Sequence, residues 1–269
     1  PNNPIIGNRS FGSNPDRVAE KGIAYMNGMK EQHVLSSAKH FPGHGNTDQD
    51  SHKVLPLIPD NKADLEKYHI APFKKMIAAG VQSIMVAHLN VPALEPDAKI
   101  PSTLSKKIIT DYLKGELQFK GIVITDALNM DGVAKMFPAG DVDYRAFVAG
   151  NDILLFSQNV HVGKQKIIDA INKGEISEAR LEESVKKILM AKYITGLNEI
   201  KPLNSANVLE DLNSPENLAL TTKIFEKAST VVKNQNNVLP IKKMNQKIAF
   251  VPLEQTDYDQ FLTHLQKYT

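Results

Sequence analysis

Four short runs of aliphatic and β-branched residues recur along the chain, Val34 to Ala38, Val81 to Ala87, Gly121 to Thr125 and Asp152 to Phe156, and a stretch with helical spacing follows each one. A helix between two strands carries the chain back across the sheet, so successive strands enter it in the same direction. This alternation sets the fold class as α/β, with a parallel sheet or barrel. Between the runs, Lys62 to Ala79 places Leu65, Ile70, Phe73 and Ile77 on one helical face, and Ser105 to Leu117 does the same with Ile108, Ile109, Tyr112 and Leu113. Leu104-Ser105 supplies a helix start, and Gly80 and Gly115 stand where these helices end or break. Gly163 to Lys173 and Ser177 to Tyr193, the latter capped by Ser177, complete the fourth unit. A parallel barrel closes on about eight strands, and half of that leaves two open edges.

From Lys201 the character changes. A polar segment with Pro202, Asn204, Ser205 and Asn207 leads to a helix over Ser214 to Ala228, with Pro215 in its first turn. Residues 201–245 read as a linker with a connecting helix. Residues 246–269 read as the beginning of a second domain, with a strand at Ile248 to Val251 and a helix at Tyr258 to Tyr268. An apolar content of 42% suits a folded core, and a formal charge of +2 without a basic run leaves no footprint for nucleic acid. Cysteine is absent, which removes disulfides and thiolate metal sites without fixing a compartment. No apolar run approaches the roughly 18 residues that span a bilayer. The first residue is Pro1, so the chain is expected to begin inside a longer polypeptide.

The chemistry concentrates after the first run, where Lys39-His40-Phe41-Pro42-Gly43-His44-Gly45 is followed by Asp48, Asp50, Ser51 and His52. A histidine with an ordinary pKa of about 6.5 can donate and then accept a proton near neutrality, and a carboxylate two residues away can orient it. Asp50 and His52 have that spacing; alternatively Asp50 caps a turn and His52 faces solvent. Asp126 ends the third run, where it either reacts or caps the next helix. His40, His44, Asp48, Asp50 and His52 are also possible zinc ligands, which would make the protein a metal-dependent hydrolase, although no H-E-x-x-H pattern accompanies them.

The loop resembles the signature of the glycoside hydrolase family 3 β-N-acetylglucosaminidases, K-H-F-P-G-H-G followed by D-S-H, and every fixed letter is present. Asn3 to Gly12 and Val123-Ile124-Thr125-Asp126-Ala127-Leu128 are similar to two further family segments. The resemblance implies the C-terminal half of a (β/α)8 TIM-type barrel, with the first four strands upstream of Pro1, followed by the start of an α/β sandwich domain. It implies a retaining exo-β-N-acetylglucosaminidase acting on peptidoglycan-type or related oligosaccharides, with Asp126 as nucleophile and Asp50 and His52 as the acid/base pair. Lys39, His40 and Arg9 would bind the sugar, Arg9 otherwise serving a structural ion pair, and His88 would border the pocket. Neither cofactor nor metal is required, and the partner is a carbohydrate. A further sugar-binding acid of the family is not in this chain. Family forms that carry the second domain favour a bacterial exported or periplasmic location. A non-catalytic sugar-binding or cell-wall descendant is the alternative of a different class.

Overall fold

The computed structural model describes residues 3, 6–47, 55–138, 140–199, 202, 205–242, 247–251 and 258–267, with the side chain of Asn8 left out. The chain forms two compact units, Pro1–Ile200 and Lys201–Thr269. In the first, strands β1 (Ser37–Phe41), β2 (Ser83–Val86) and β3 (Ile122–Thr125) make a parallel sheet in the order β1-β2-β3. The expected alternation is therefore present, as a mixed α/β unit with a small parallel sheet.

Two of the expected strands differ from the sequence reading. The first begins at Ser37, because Val34 is left 49% exposed and contributes nothing to the core. Its register against β2 runs Ser37 to Ser83 and Ala38 to Ile84, then Phe41 to Val86, so three residues of β1 advance against two of β2. This extra residue is a bulge. It turns Phe41 to the face of Ala38, where the ring is fully buried. The fourth run, Asp152 to Phe156, makes one parallel bridge, Ile153 to Ile124, rather than a strand. Phe156 takes a φ of 50°, which ends extended backbone at once.

Phe41, Leu65, Ile84, Val86, Ile108, Leu113 and Val123 are fully buried in one cluster, each contributing roughly 1.5–3 kcal/mol by leaving water. The helix Pro15–Glu31 starts where Asn14 Oδ1 accepts from the amides of Asp16 and Arg17 at 2.9 and 3.0 Å, a cap that contributes about 1 kcal/mol. The stretch read as one helix from Lys62 is three pieces: Lys62–Asp64, the π-helical Leu65–Ile70, and Ala71–Ala78. Pro72 has no amide hydrogen to continue the α-helical ladder, and the wide turn precedes it. Lys107–Glu116 is also π-helical and runs through Gly115, an expected end.

Behind the sheet, the fully buried carboxylate of Asp152 accepts from Ser184 Oγ at 2.6 Å and from the Val123 amide at 3.0 Å. Arg180 lies 3.3 Å away and Lys114 and Lys187 each 3.4 Å. Burial alone would raise its pKa, but Lys114, Ser184, the Val123 amide and Lys187 together hold it below the usual carboxylate value. Lys114 is pushed down to about 8, chiefly by burial, against the pull of Asp152. These contacts tie the helices Glu178–Ile194 and Lys107–Glu116 to β3.

The second unit contains the helices Val208–Leu212, Pro215–Ala228 and Asp259–Leu265. Ser214 Oγ accepts from the Asn217 amide at 3.3 Å, capping the second of them as its sequence suggests. The strand expected at Ile248 to Val251 is not formed: among the described residues of this unit there is no other strand for it to pair with. Among the described residues no helix is long and apolar enough to cross a membrane.

Candidate active site

Parallel strands bring their C-terminal ends to one side of the sheet, and the candidate residues follow from that geometry. His40 is the penultimate residue of β1, His88 stands two residues beyond β2, and Asp126 immediately follows β3. The Asp126 amide continues the ladder by donating to the Val86 carbonyl at 2.9 Å. One carboxylate oxygen, Oδ1, accepts from the Ala127 amide at 2.9 Å. The other, Oδ2, faces His40 Nε2 across 3.8 Å. One oxygen is thus held by the backbone while the other is turned toward the top of the sheet.

Burial drives the His40 pKa down to about 4; Asp126 opposes this, while Lys39, His44 and Arg9 add to the depression. The imidazole is therefore neutral near pH 7, able to donate from one nitrogen and accept at the other. Its Nδ1 is buried and has no hydrogen-bond partner among the described residues. Lys39 and Arg9 are exposed, Arg9 at the end of the 3-10 turn Gly7–Arg9. Both line a cavity of about 660 Å³ together with His40, His44 and His69, and with the apolar Val18, Met26, Phe73 and Met76. Asp126 and His88 are not in that lining, whereas His40, which faces the carboxylate, is. Much of its wall is apolar, with Arg9, Lys39, His40 and His44 among the polar side chains that line it.

His88 does not open onto this space. It is fully buried, with Nδ1 2.7 Å from Thr103 Oγ1 and Nε2 3.0 Å from the Ala127 carbonyl. Burial lowers its pKa, against the Ala127 carbonyl and Asp126. It braces the Asp126–Ala127 turn from beneath, where the sequence had placed it beside a substrate. Thr103, which fixes the ring, carried no signal in the sequence. Asp50 and His52 lie outside the described residues, as does Asp48 of the alternative zinc set. Among the described residues no group of three His, Asp or Glu side chains is placed to hold a metal ion.

Comparison with known proteins sets this arrangement in a family. The description "Glycosyl hydrolase family 3 N terminal domain" matches residues 1–191. "Beta-hexosaminidase A" of Pseudoalteromonas piscicida is 32% identical over 273 aligned positions, covering 93% of this chain and 44% of that protein. A glycoside hydrolase family 3 β-N-acetylglucosaminidase from Paenibacillus sp. str. FPU-7 superposes with a TM-score of 0.77 at 36% identity, covering 84% of this chain and 43% of its own. The β-glucoside phosphorylase BglX also reaches a TM-score of 0.77, at 26% identity, covering 87% of this chain and 44% of its own. The chain thus spans less than half the length of each of these relatives. With the family description matched across residues 1–191, the chain belongs to glycosyl hydrolase family 3, in its N-terminal domain.

Proposed function

We propose that this chain is the part of a retaining exo-β-N-acetylglucosaminidase that carries its nucleophile and its acid/base pair. The observation that carries this reading is Asp126 at the C-terminal end of β3, with one oxygen fixed by the Ala127 amide and the other 3.8 Å from His40. A fixed carboxylate with one oxygen free of backbone bonds suits attack on an anomeric carbon. Residues 1–200 are read as the C-terminal half of a (β/α)8 barrel, 201–245 as the connection, and 246–269 as the start of an α/β sandwich.

Two steps follow. Asp126 attacks the anomeric carbon of a terminal β-linked N-acetylglucosamine while protonated His52, oriented by Asp50, gives its proton to the departing oxygen. Neutral His52 then takes a proton from water, which releases the sugar from Asp126 with its β configuration kept. Lys39, Arg9 and neutral His40 would hold sugar hydroxyls. Peptidoglycan-type oligosaccharides are the proposed substrate class.

The test is the complete polypeptide that carries this sequence, given an aryl β-N-acetylglucosaminide while the anomeric protons of the product are followed by NMR. The β-anomer should form first. First formation of the α-anomer would reject the covalent step, and turnover of the matching β-glucoside in preference would reject the substrate.

The similarity to BglX, described as a β-glucoside phosphorylase, favours a second reading in which phosphate replaces water in the second step. A neutral histidine base repels an anion less than a carboxylate base does. Sugar 1-phosphate should then accumulate at high phosphate, and its absence removes this reading alone.

A further inference from the structure

The loop that follows β1 is held from two sides. On one, the Asn3 side-chain amide donates to the His44 carbonyl at 2.6 Å and to Thr47 Oγ1 at 2.9 Å, and His44 Nδ1 lies 2.7 Å from the same hydroxyl. All three residues are buried. On the other, the Asn46 side chain donates to Asp60 Oδ2 at 3.3 Å, and that same oxygen lies 3.6 Å from His69 Nε2. The His69 side chain is only 6% exposed, so this imidazole is part of the interior.

Gly43 completes the second contact. Its φ is +131°, and a Cβ added there would fall 2.7 Å from His69 Cβ and 3.0 Å from Nδ1. The loop backbone therefore passes over the imidazole at a distance open only to glycine. His69 sits in the π-helical turn Leu65–Ile70, a widening that recurs at functional sites. The loop in turn touches the reaction centre: the His44 ring meets the His40 ring edge-on, with centroids 6.0 Å apart, and His40 faces Asp126.

We propose that Asp60 and His69 are positioning residues, forming with Gly43 and Asn46 an outer clamp that fixes residues 43–47 and thereby the setting of His40 against Asp126. Neither residue touches the reacting groups; both act through the loop. The kinetic consequence rests on the glycosidase reading above, whereas the clamp itself does not.

The experiment uses Asp60→Ala, Asp60→Asn and His69→Ala in the complete polypeptide. Hydrogen exchange reads the clamp directly. In Asp60→Ala and His69→Ala, amides of residues 43–47 should exchange about tenfold faster while those of β2 stay unchanged. Asp60→Asn keeps an oxygen for Asn46 and should stay near the parent. With an aryl β-N-acetylglucosaminide, the two alanine variants should lose roughly tenfold in kcat with little change in KM, and Asp60→Asn should recover most of it.

Unchanged exchange at residues 43–47 in both alanine variants overturns the clamp, whatever the turnover. Acceleration that extends equally to β2 reports general destabilisation and also overturns it. A local exchange change with unaltered kcat rejects the link to His40. If the unsubstituted polypeptide shows no turnover, the glycosidase reading fails, and exchange alone decides the clamp.

Discussion

His40 Nε2 stands 3.8 Å from Asp126 Oδ2, with 10% of the imidazole and 17% of the carboxylate exposed. The pair is too enclosed for the histidine to take up a proton easily, even beside a carboxylate. Its folded pKa of about 4 lies below the ordinary 6.5 of an unfolded chain. Between those values the unfolded state binds the extra proton, so this contribution to stability is present above about pH 6.5 and is lost as pH falls toward 4. The full effect is up to about 3 kcal/mol. Buried His88 shifts in the same direction and adds to it. Urea unfolding at pH 7, 5.5 and 4.5 should show this loss, and His40→Asn should flatten it. An equally steep loss in His40→Asn would mean that His40 is not held neutral.

Asp126→Ala in the complete polypeptide should reduce turnover of an aryl β-N-acetylglucosaminide by several orders of magnitude with the fold retained, because the proposed covalent step would lose its attacking group. Circular dichroism and steady-state kinetics check both halves. Activity above about a tenth of the parent would remove Asp126 from the role of nucleophile.

Asp152 and Lys114 should respond in opposite ways. Asp152→Ala leaves Lys114, Arg180 and Lys187 facing one another without their shared carboxylate; a loss of about 3–5 kcal/mol is expected. Lys114→Met removes a cation whose charging is already disfavoured by burial, while Arg180, Lys187 and Ser184 still hold Asp152. It should change stability by less than about 1 kcal/mol, or raise it. The sign also fixes a pH trend. With a folded pKa of about 8 against 10.5 when unfolded, Lys114 favours the native state most fully above 10.5, and that contribution falls away as pH drops through 8. Thermal melts across pH 7–10 on parent and Lys114→Met would detect it.

His52→Ala should be mild with aryl substrates, whose leaving oxygen departs with little protonation, and severe with natural disaccharides. Asp50→Ala should show a weaker form of the same pattern. Equal losses on both substrates would take the proton-donor role away from His52.

Much of the architecture was legible because hydrophobic runs report burial directly: β2 and β3 fall within the apolar segments that marked them. The place of Asp126 directly after a strand was legible for the same reason, since it ends one of those runs. What escaped was either a backbone geometry without a compositional sign or a contact between distant positions. The bulge in β1 and the π-helical turn at Leu65–Ile70 leave the residue pattern nearly unchanged while altering which side chains face inward. Nothing in the sequence singles out His69, because its partners, Gly43 and Asp60, come from other segments. The group around Asp152 is assembled from Lys114, Arg180, Ser184 and Lys187, a gathering that only the packed helices bring about. His88 read as a pocket residue from its place after a strand, and the side chain of Thr103 drew it inward instead.

The bulge has a further meaning for how this chain tolerates change. A regular strand offers one face only every second residue, so between Ala38 and Phe41 it would deliver a single side chain to the site. Here β1 advances three residues while β2 advances two, and both Lys39 and His40 reach the same cavity wall. Shortening this segment by one residue would restore the pleat and retire one of the two polar groups, while Phe41, then two positions after Ala38, would keep the face of Ala38 and its pairing with Val86. Length at this point therefore serves the site rather than the core: a one-residue deletion leaves Phe41 opposite Val86 and the packing intact, but takes away one of the two neighbouring polar side chains that the bulge presents together.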